Sequence, residues 1–409
     1  MSKLSWENFT ALPRQLSPDQ RRAASIASVT HALHDGYTDL IYIMLPLWQT
    51  EFGLDYAALG ILRSVFVGAM ACLQIPAGLV SERLGAAVVL AVGTALAGFG
   101  YLLAGASAGF TMLLVALFIG GLGASTQHPV ASALIARAFP GPRSLTALGT
   151  YNFAGDLGKM TLPATLSLML LVMAWRPALA ILGCLGFILA AVIFVVTPRY
   201  QHESTAERRP ETEAVSDKQP QPLAFPLLVA IGVIDSATRM GFLLFLPFVL
   251  KDKGASVQTV GLALTLVFAG GAVGKLACTF IGARIGAIGT VWLTESLTAV
   301  GILALIPLPL GGALLLLPII GIALNGTSSV LYGSVPALVN AGWRTRALSI
   351  FYTGTVGSGA VAPTLYGLVG DTFGVWKALM LVAVMVLLTL PLSALLRPSL
   401  PRGYGSRAA

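Results

Sequence analysis

Charged residues are scarce in this chain of 409 residues, where Asp, Glu, Lys and Arg together make up 10% of the sequence. Hydrophobic residues make up 56%, and the mean hydropathy is +0.83. Soluble globular proteins carry about 25% charged residues, so this composition predicts an integral membrane protein. The net charge of +8 does not indicate a nucleic-acid partner, because the basic residues fall mainly in loops between apolar segments.

Cysteine is also rare, and the motifs of catalysis are weak. Cys72, Cys184 and Cys278 form no CxxC pair, which predicts buried free thiols and no disulfide or metal framework. There is no HExxH motif, and "GGAVGK" at 270–275 lacks the Ser or Thr that follows the lysine of a phosphate loop. We therefore predict that the protein is not an enzyme and uses no cofactor.

Apolar segments of about 20 residues, the length that crosses a bilayer as a helix, recur along the chain. Twelve are predicted, at 24–50, 57–81, 86–107, 110–138, 144–173, 176–197, 223–250, 257–281, 287–308, 310–336, 346–370 and 374–396. The segment 198–222 is rich in proline and in charges of both signs, so it cannot form a core of its own. The sequence predicts an all-α membrane protein of two six-helix bundles, 1–197 and 223–409, joined by a linker at 198–222.

The distribution of lysine and arginine predicts the orientation of these helices. With the N-terminus inside, seventeen of them fall in cytoplasmic segments and four in outer loops. Because positive charge is retained on the cytoplasmic side, both termini are predicted to be cytoplasmic.

An internal repeat with an offset close to 200 residues supports two bundles. Asp35 corresponds to Asp235, and "RLG" at 83–85 corresponds to "RIG" at 284–286. "ALGTYNFAGDLGKMTLP" at 147–163 aligns with "ALSIFYTGTVGSGAVAP" at 347–363. Similarity between the two halves of one chain indicates a duplicated unit.

Two parallel six-helix repeats resemble the major facilitator transporters, and a loop motif adds to that resemblance. Gly78, Glu82, Arg83 and Gly85 of "GLVSERLG" are similar to the superfamily's cytoplasmic loop motif, with Arg284 at the repeated position. Ala86 and Ala87 replace a basic residue that is usual there. The resemblance implies a cytoplasmic gate at these residues and a substrate site near the membrane midplane.

Two further motifs resemble the fosmidomycin-resistance branch of these transporters. "HALHD" at 31–35 matches a His-x-x-Asn-Asp pattern in helix one, and "GLGASTQHPVAS" at 121–132 matches a Gly-rich segment that ends in His-Pro. His34 and Val130 depart from that pattern, in place of Asn and an acidic residue. The resemblance implies export of drugs against a proton gradient.

Ionisable residues inside the spans are candidate sites, because lipid makes them costly unless a cavity or partner receives them. Asp35 lies about 14 Å along helix one at about 1.5 Å per residue, near the midplane, and Asp235 lies at a similar depth in helix seven. Burial favours a neutral carboxyl and a nearby cation favours an ionised one, a combination that suits a proton carrier. The candidates for proton coupling are Asp35, His31, Asp235, Asp156 and His128. A purely structural pair of His31 and Asp35 is the alternative.

Lys159 and Arg239 are the predicted anchors of an anionic substrate, since a guanidinium grips two oxygens of a carboxylate or phosphonate. Their spacing from Asp156 and Asp235 also allows structural ion pairs. The other predicted substrate-binding residues are polar side chains of the spans: His34, Asp39, Tyr42, Tyr151, Asn325 and Tyr352. Arg63 and Glu295 receive less weight, because each stands alone and Arg63 lies within reach of the membrane interface.

Together these features predict a monomeric secondary transporter of the inner membrane that exports a small organic anion or drug in exchange for protons. Uptake of a small metabolite is one alternative. Export of a divalent transition metal is another, because His31, His34, Asp35, Asp39 and His128 are suitable ligands. The positive charges of Lys159 and Arg239 argue against a divalent cation.

Overall fold

The computed structural model describes residues 16–141, 143–198, 223–340 and 343–399, and every regular element in them is helical. The helices are α1 (Pro18–Phe52), α2 (Tyr56–Leu84), α3 (Ala86–Gly105), α4 (Phe110–Ala124), α5 (Gln127–Ala138), α6 (Arg143–Met169), α7 (Trp175–Val196), α8 (Ala224–Asp252), α9 (Val257–Leu305), α10 (Leu310–Ser334), α11 (Arg344–Phe373), α12 (Val375–Val386) and α13 (Thr389–Leu396). All of the predicted linker except Pro198 lies outside the described residues.

Nine segments of the described chain are helical, long and apolar enough to cross a membrane, by length and composition. The long helices α1, α6 and α11 fall outside this set. In α1 and α6 the reason is visible in the sequence, because they carry His31, His34, Asp35, Asp156 and Lys159. The all-helical membrane class is confirmed, whereas twelve spans and cytoplasmic termini stay predictions.

The predicted span 110–138 is two helices, α4 and α5. Pro129 lacks the N–H that would bond the carbonyl of Ser125, four residues earlier, and its ring crowds that carbonyl. Ser125 and Thr126 instead donate their hydroxyls to the carbonyls of Leu122 and Gly123, at 2.7 and 3.1 Å. The break places His128 in the first turn of α5.

The chain divides into two compact units. Unit 1 contains the described residues of Met1–Asp39, Cys72–Leu162 and Ala174–His202, and its core includes Leu90, Leu134 and Ile193. Unit 2 contains those of Leu40–Ala71, Pro163–Met173 and Glu203–Ala409, and its core includes Leu228, Leu331 and Phe351. These boundaries follow packing within the chain, and the predicted bundles 1–197 and 223–409 stay a prediction.

The backbone repeats the same turns with an offset of about 201 residues. Gly85 separates α2 from α3 with φ of 85°, and Gly286 interrupts α9 with φ of 79°. Side chains other than glycine rarely adopt this left-handed conformation. The two glycines end the "RLG" and "RIG" motifs, which supports the predicted duplication.

The three cysteines are free, as predicted, but the prediction that all are buried is wrong. Cys278 is buried, whereas Cys72 and Cys184 are exposed at the protein surface. Lipid is as apolar as a protein core, so an apolar residue in a membrane helix can face either.

Candidate functional site

A buried polar stripe runs along α1. His31, His34, Asp35 and Asp39 are between 3% and 7% exposed. Their spacing of three, four and eight residues places them along one side of the helix. Because buried charges need partners, the residues around this stripe decide what it can do.

Lys159 of α6 is the charged partner of Asp35. Its Nζ lies 3.3 Å from Asp35 Oδ2, in an ion pair that joins two helices of unit 1. The alternative ion pair of Lys159 with Asp156, three residues away on the same helix, stays a prediction. Asp156 is buried as well, so α6 adds a second carboxyl group to the interior of unit 1.

Small residues allow this pairing because they bring α1 and α6 together. A Cβ atom on Gly158 would lie 1.8 Å from the carbonyl oxygen of Ala32. One on Gly155 would lie 2.6 Å from Asp35 Oδ2 and 2.8 Å from His31 Cε1. Gly155 is therefore the residue of α6 that packs directly against Asp35 and His31 of the polar stripe.

The hydrogen bonding of His31 fixes its tautomer. Its Nδ1 donates to the carbonyl oxygen of Tyr151 at 2.8 Å, since a carbonyl can only accept. The Tyr151 ring stacks on the imidazole at a centroid distance of 4.0 Å. The other nitrogen, Nε2, is buried without a hydrogen-bond partner and lies 3.4 Å from Asp35 Oδ1.

Two more histidines complete the cluster in unit 1. His34 Nε2 is 3.8 Å from Asp35 Oδ1, and the ring of His128 lies 4.9 Å from that of His34 and 5.2 Å from that of His31. Ligand atoms of His31, Asp35 and His128 lie within 4.8 Å of one another. The cluster can exchange protons, and its atoms are also suitable for a transition metal.

Unit 2 contains a second buried ion pair. Arg239 Nη2 donates to Asp235 Oδ2 at 3.0 Å, as their spacing on α8 predicts. Glu295 of α9 is also buried, with 1% exposure. In the sequence Glu295 stands alone and was not among the predicted site residues. The available signal was a lone acidic residue in an apolar membrane helix, which is by default a functional candidate.

Arg63 is the other charged residue that stands alone in the sequence but is buried in the structure. It is only 2% exposed, so the prediction that it reaches the interface is wrong. Its Nε donates to Tyr42 Oη at 3.0 Å, and its guanidinium lies 4.8 Å from the centre of that ring. The Tyr42 hydroxyl donates to Met240 Sδ at 3.3 Å. Tyr42 thus positions a buried cation in unit 2.

The remaining predicted residues lie in less distinctive surroundings. Asn325 Nδ2 donates to the Gly321 carbonyl of its own helix at 3.2 Å, and the Tyr352 ring is 6.3 Å from that of Tyr332. In the predicted gate, Gly78 is half-buried and Glu82, Arg83 and Arg284 are exposed. Arg83 lines a cavity of about 220 Å³ at the start of α3.

The sequence and fold are similar to those of known transporters. The family model "Major Facilitator Superfamily" matches residues 27–232. The "Probable sulfoacetate transporter" of Cupriavidus necator is 25% identical over 80% of this chain and 82% of its own length. The fosmidomycin resistance protein of Escherichia coli is 29% identical over 32% of each chain.

The fold is similar to that of a bacterial homologue of the human lysosomal transporter Spinster in an inward-facing and occupied conformation. The TM-score is 0.77 at 15% identity, covering 94% of this chain and 98% of the homologue. At this level of identity the likeness shows the fold alone. The family is shown by the sequence model, which matches 206 of the 409 residues. The chain is a multi-pass membrane protein for secondary transport of small molecules, not an enzyme, and it belongs to the Major Facilitator Superfamily.

Proposed function

We propose that the protein is a proton-coupled transporter of small organic anions, working by alternating access in the inner membrane. The observation that carries this proposal is the contact between His31 and Asp35. Since Nδ1 of His31 donates to Tyr151, neutral His31 would turn the lone pair of Nε2 towards Asp35 Oδ1 at 3.4 Å. Two acceptors face each other there unless a proton lies between them.

Lys159 links this proton to an anion. It holds Asp35 Oδ2 at 3.3 Å, and its side chain is 28% exposed. A proton on Asp35 weakens that ion pair and releases Lys159 to hold an anionic substrate. Arg239 offers a second cation in unit 2, with the fork geometry that suits a carboxylate, sulfonate or phosphonate. Sulfoacetate and fosmidomycin, from the names of two relatives, are anions of these types.

Direction is the finer part of the proposal. The resemblance to the fosmidomycin-resistance branch supports export in exchange for protons, and uptake of the anion is the alternative. Exchange and cotransport differ in whether the anion binds the deprotonated or the protonated carrier, so the response to an imposed pH gradient distinguishes them.

Transport in proteoliposomes tests the proposal. Labelled sulfoacetate and fosmidomycin should accumulate against their gradients only under an imposed pH gradient, and a protonophore should abolish this accumulation. Accumulation in the acidic compartment indicates exchange, and accumulation in the alkaline compartment indicates cotransport. Equal fluxes with and without the pH gradient would contradict proton coupling.

A divalent transition metal is the second candidate substrate, favoured by the three ligand atoms of His31, Asp35 and His128 within 4.8 Å of one another. Lys159 argues against a metal substrate, because its ammonium group is already ion-paired with Asp35. We expect cobalt to bind the detergent-solubilised wild-type protein weakly and Lys159→Met at least about tenfold more tightly, a change of about 1.4 kcal/mol.

Visible absorption of bound cobalt measures both affinities. His128→Ala in the Lys159→Met background is the control, since it should remove the gain. Tight cobalt binding by the wild type would support a metal substrate in place of an organic anion.

A further inference from the structure

A cavity of about 220 Å³ in unit 1 is lined by the ends of three helices. Arg83, in the last turn of α2, and Arg137, in the last turn of α5, both line it, together with the first turn of α3. Pockets for drug-sized ligands measure about 300–1,000 Å³, so this cavity suits a smaller group. None of its lining residues belongs to the polar stripe of α1 or to α6, so it is separate from the site described above.

The cavity carries an excess of positive charge. No acidic residue is among the described residues that line it. Within the parts of the chain that the structure describes, neither Arg83 nor Arg137 makes an ion pair or a side-chain hydrogen bond. A guanidinium group has five N–H donors and stays charged at physiological pH. The donors of both arginines are therefore available to an anion in the cavity.

The first turn of α3 adds donors of a second kind. Gly85 precedes this helix with φ of 85° and has no side chain that could cap it. The next three residues, Ala86, Ala87 and Val88, also line the cavity, and their amides have no acceptor within the helix. Amides at a helix N-terminus favour an anion, and phosphate in particular, so they add to the two arginines.

Arginines at these positions are also favourable without a ligand. Positive charge is retained on the predicted cytoplasmic side, and a cation in the last turn of a helix interacts well with its carbonyls. Arg284 occupies the position of Arg83 in the repeated motif and is exposed as well, but it does not line this cavity. The shared cavity with Arg137 is what distinguishes Arg83, and Arg284 provides a control for charge alone.

Apolar surface continues from one side of the cavity. Leu84 lines the cavity and is 60% exposed. Val80, one turn earlier on α2, and Val92, one turn beyond Val88 on α3, are 43% and 61% exposed. Exposed apolar side chains of a membrane helix are compatible with acyl chains. Basic pockets between membrane helices on the cytoplasmic side bind lipid head groups, and this cavity has the same combination of features.

We propose that the cavity binds a phosphate group, held by charge-assisted hydrogen bonds from Arg83 and Arg137. The phosphate balances the charge of the guanidinium groups and joins α2 to α5, so it stabilises unit 1. Its source is either an anionic lipid such as phosphatidylglycerol, which the exposed apolar surface favours, or a soluble phosphate of the cytoplasm. This site goes beyond the proposed function and does not depend on it, because the phosphate is bound and not transported.

Native mass spectrometry of the full-length protein in detergent measures lipid retention. We expect the wild type to retain phosphatidylglycerol in preference to phosphatidylcholine. Arg83→Gln should weaken this binding about fivefold and the double variant with Arg137→Gln about thirtyfold, because each basic residue adds its own attraction to an anionic lipid. Arg284→Gln removes the same charge outside the cavity and should bind as the wild type does. Calorimetric titration with inorganic phosphate and glycerol phosphate tests the soluble source.

Ala133→Phe separates the cavity from the charge around it. Ala133 lines the cavity and is exposed, so phenylalanine there fills the cavity and leaves both arginines in place. We expect the affinity for the phosphate group to fall at least about tenfold. Ala136→Phe is the matched control, since Ala136 is exposed on the same helix and does not line the cavity. All the substituted residues are exposed, so each variant should keep the melting temperature of the wild type without ligand.

The two arms identify the source of the phosphate. Retention of phosphatidylglycerol without binding of a soluble phosphate assigns the site to a lipid, and binding of a soluble phosphate assigns it to the cytoplasmic pool. Absence of both would overturn the proposal. Equal affinity of the wild type and the double arginine variant would overturn it too, as would equal affinity of Ala133→Phe and Ala136→Phe or an equal loss in Arg284→Gln.

Discussion

Asp35→Asn is expected to reduce proton-driven accumulation of an anion at least about tenfold, a loss of about 1.4 kcal/mol or more. Asparagine resembles the protonated form of Asp35, so it releases Lys159 but cannot give up a proton. The loaded transporter should still reorient, whereas the step that requires proton release should stop. Counterflow of labelled against unlabelled anion at equal pH should therefore continue in the variant.

The paired measurements separate a proton carrier from a structural ion pair. If Asp35 only holds α1 against α6, Asp35→Asn should impair accumulation and counterflow alike. Asp19→Asn is the matched control, because Asp19 lies in the exposed first turn of the same helix. Retention of accumulation in Asp35→Asn would show that the coupling proton binds elsewhere.

Gly155→Ala is expected to produce the second large effect. The added methyl group would lie 2.6 Å from Asp35 Oδ2 and 2.9 Å from His31 Nε2, closer than van der Waals contact allows. The side chains of the stripe or the α1–α6 contact must shift, at a cost of about 1–3 kcal/mol for overpacking. If that strain falls on the His31–Asp35 contact, transport should fall between about fivefold and a hundredfold.

Gly149→Ala is the matched control for this effect. Gly149 lies on the same helix, and a Cβ atom built there has no atom within 4 Å. Alanine at this position favours the helix over glycine by about 1 kcal/mol, and its methyl group makes no new contact. Expression, melting temperature and accumulation are measured for both variants. Equal transport by Gly155→Ala and Gly149→Ala would show that the contact of Gly155 with α1 does not position the polar stripe.

The candidate site was only partly accessible to sequence reasoning. His31, Asp35 and His128 stood out because ionisable residues are costly in a membrane helix. The pairing of Lys159 with Asp35 did not, because it is a contact between two helices, and a spacing along the chain suggests only neighbours on the same helix. Arg63 looked isolated for the same reason. Its partner Tyr42, on a different helix, becomes its neighbour only after folding.

By itself, the sequence determined the membrane class, the helical fold, the duplicated turns at Gly85 and Gly286, and which polar residues enter the spans. Composition and periodicity suffice for these, because a bilayer admits few backbone structures. Only the tertiary structure decided which charges meet. It turned Nε2 of His31 towards Asp35, paired Lys159 with Asp35 and joined Arg63 to Tyr42 by a hydrogen bond. Electrostatic interactions depend on distances between helices, and no sequence spacing specifies those distances.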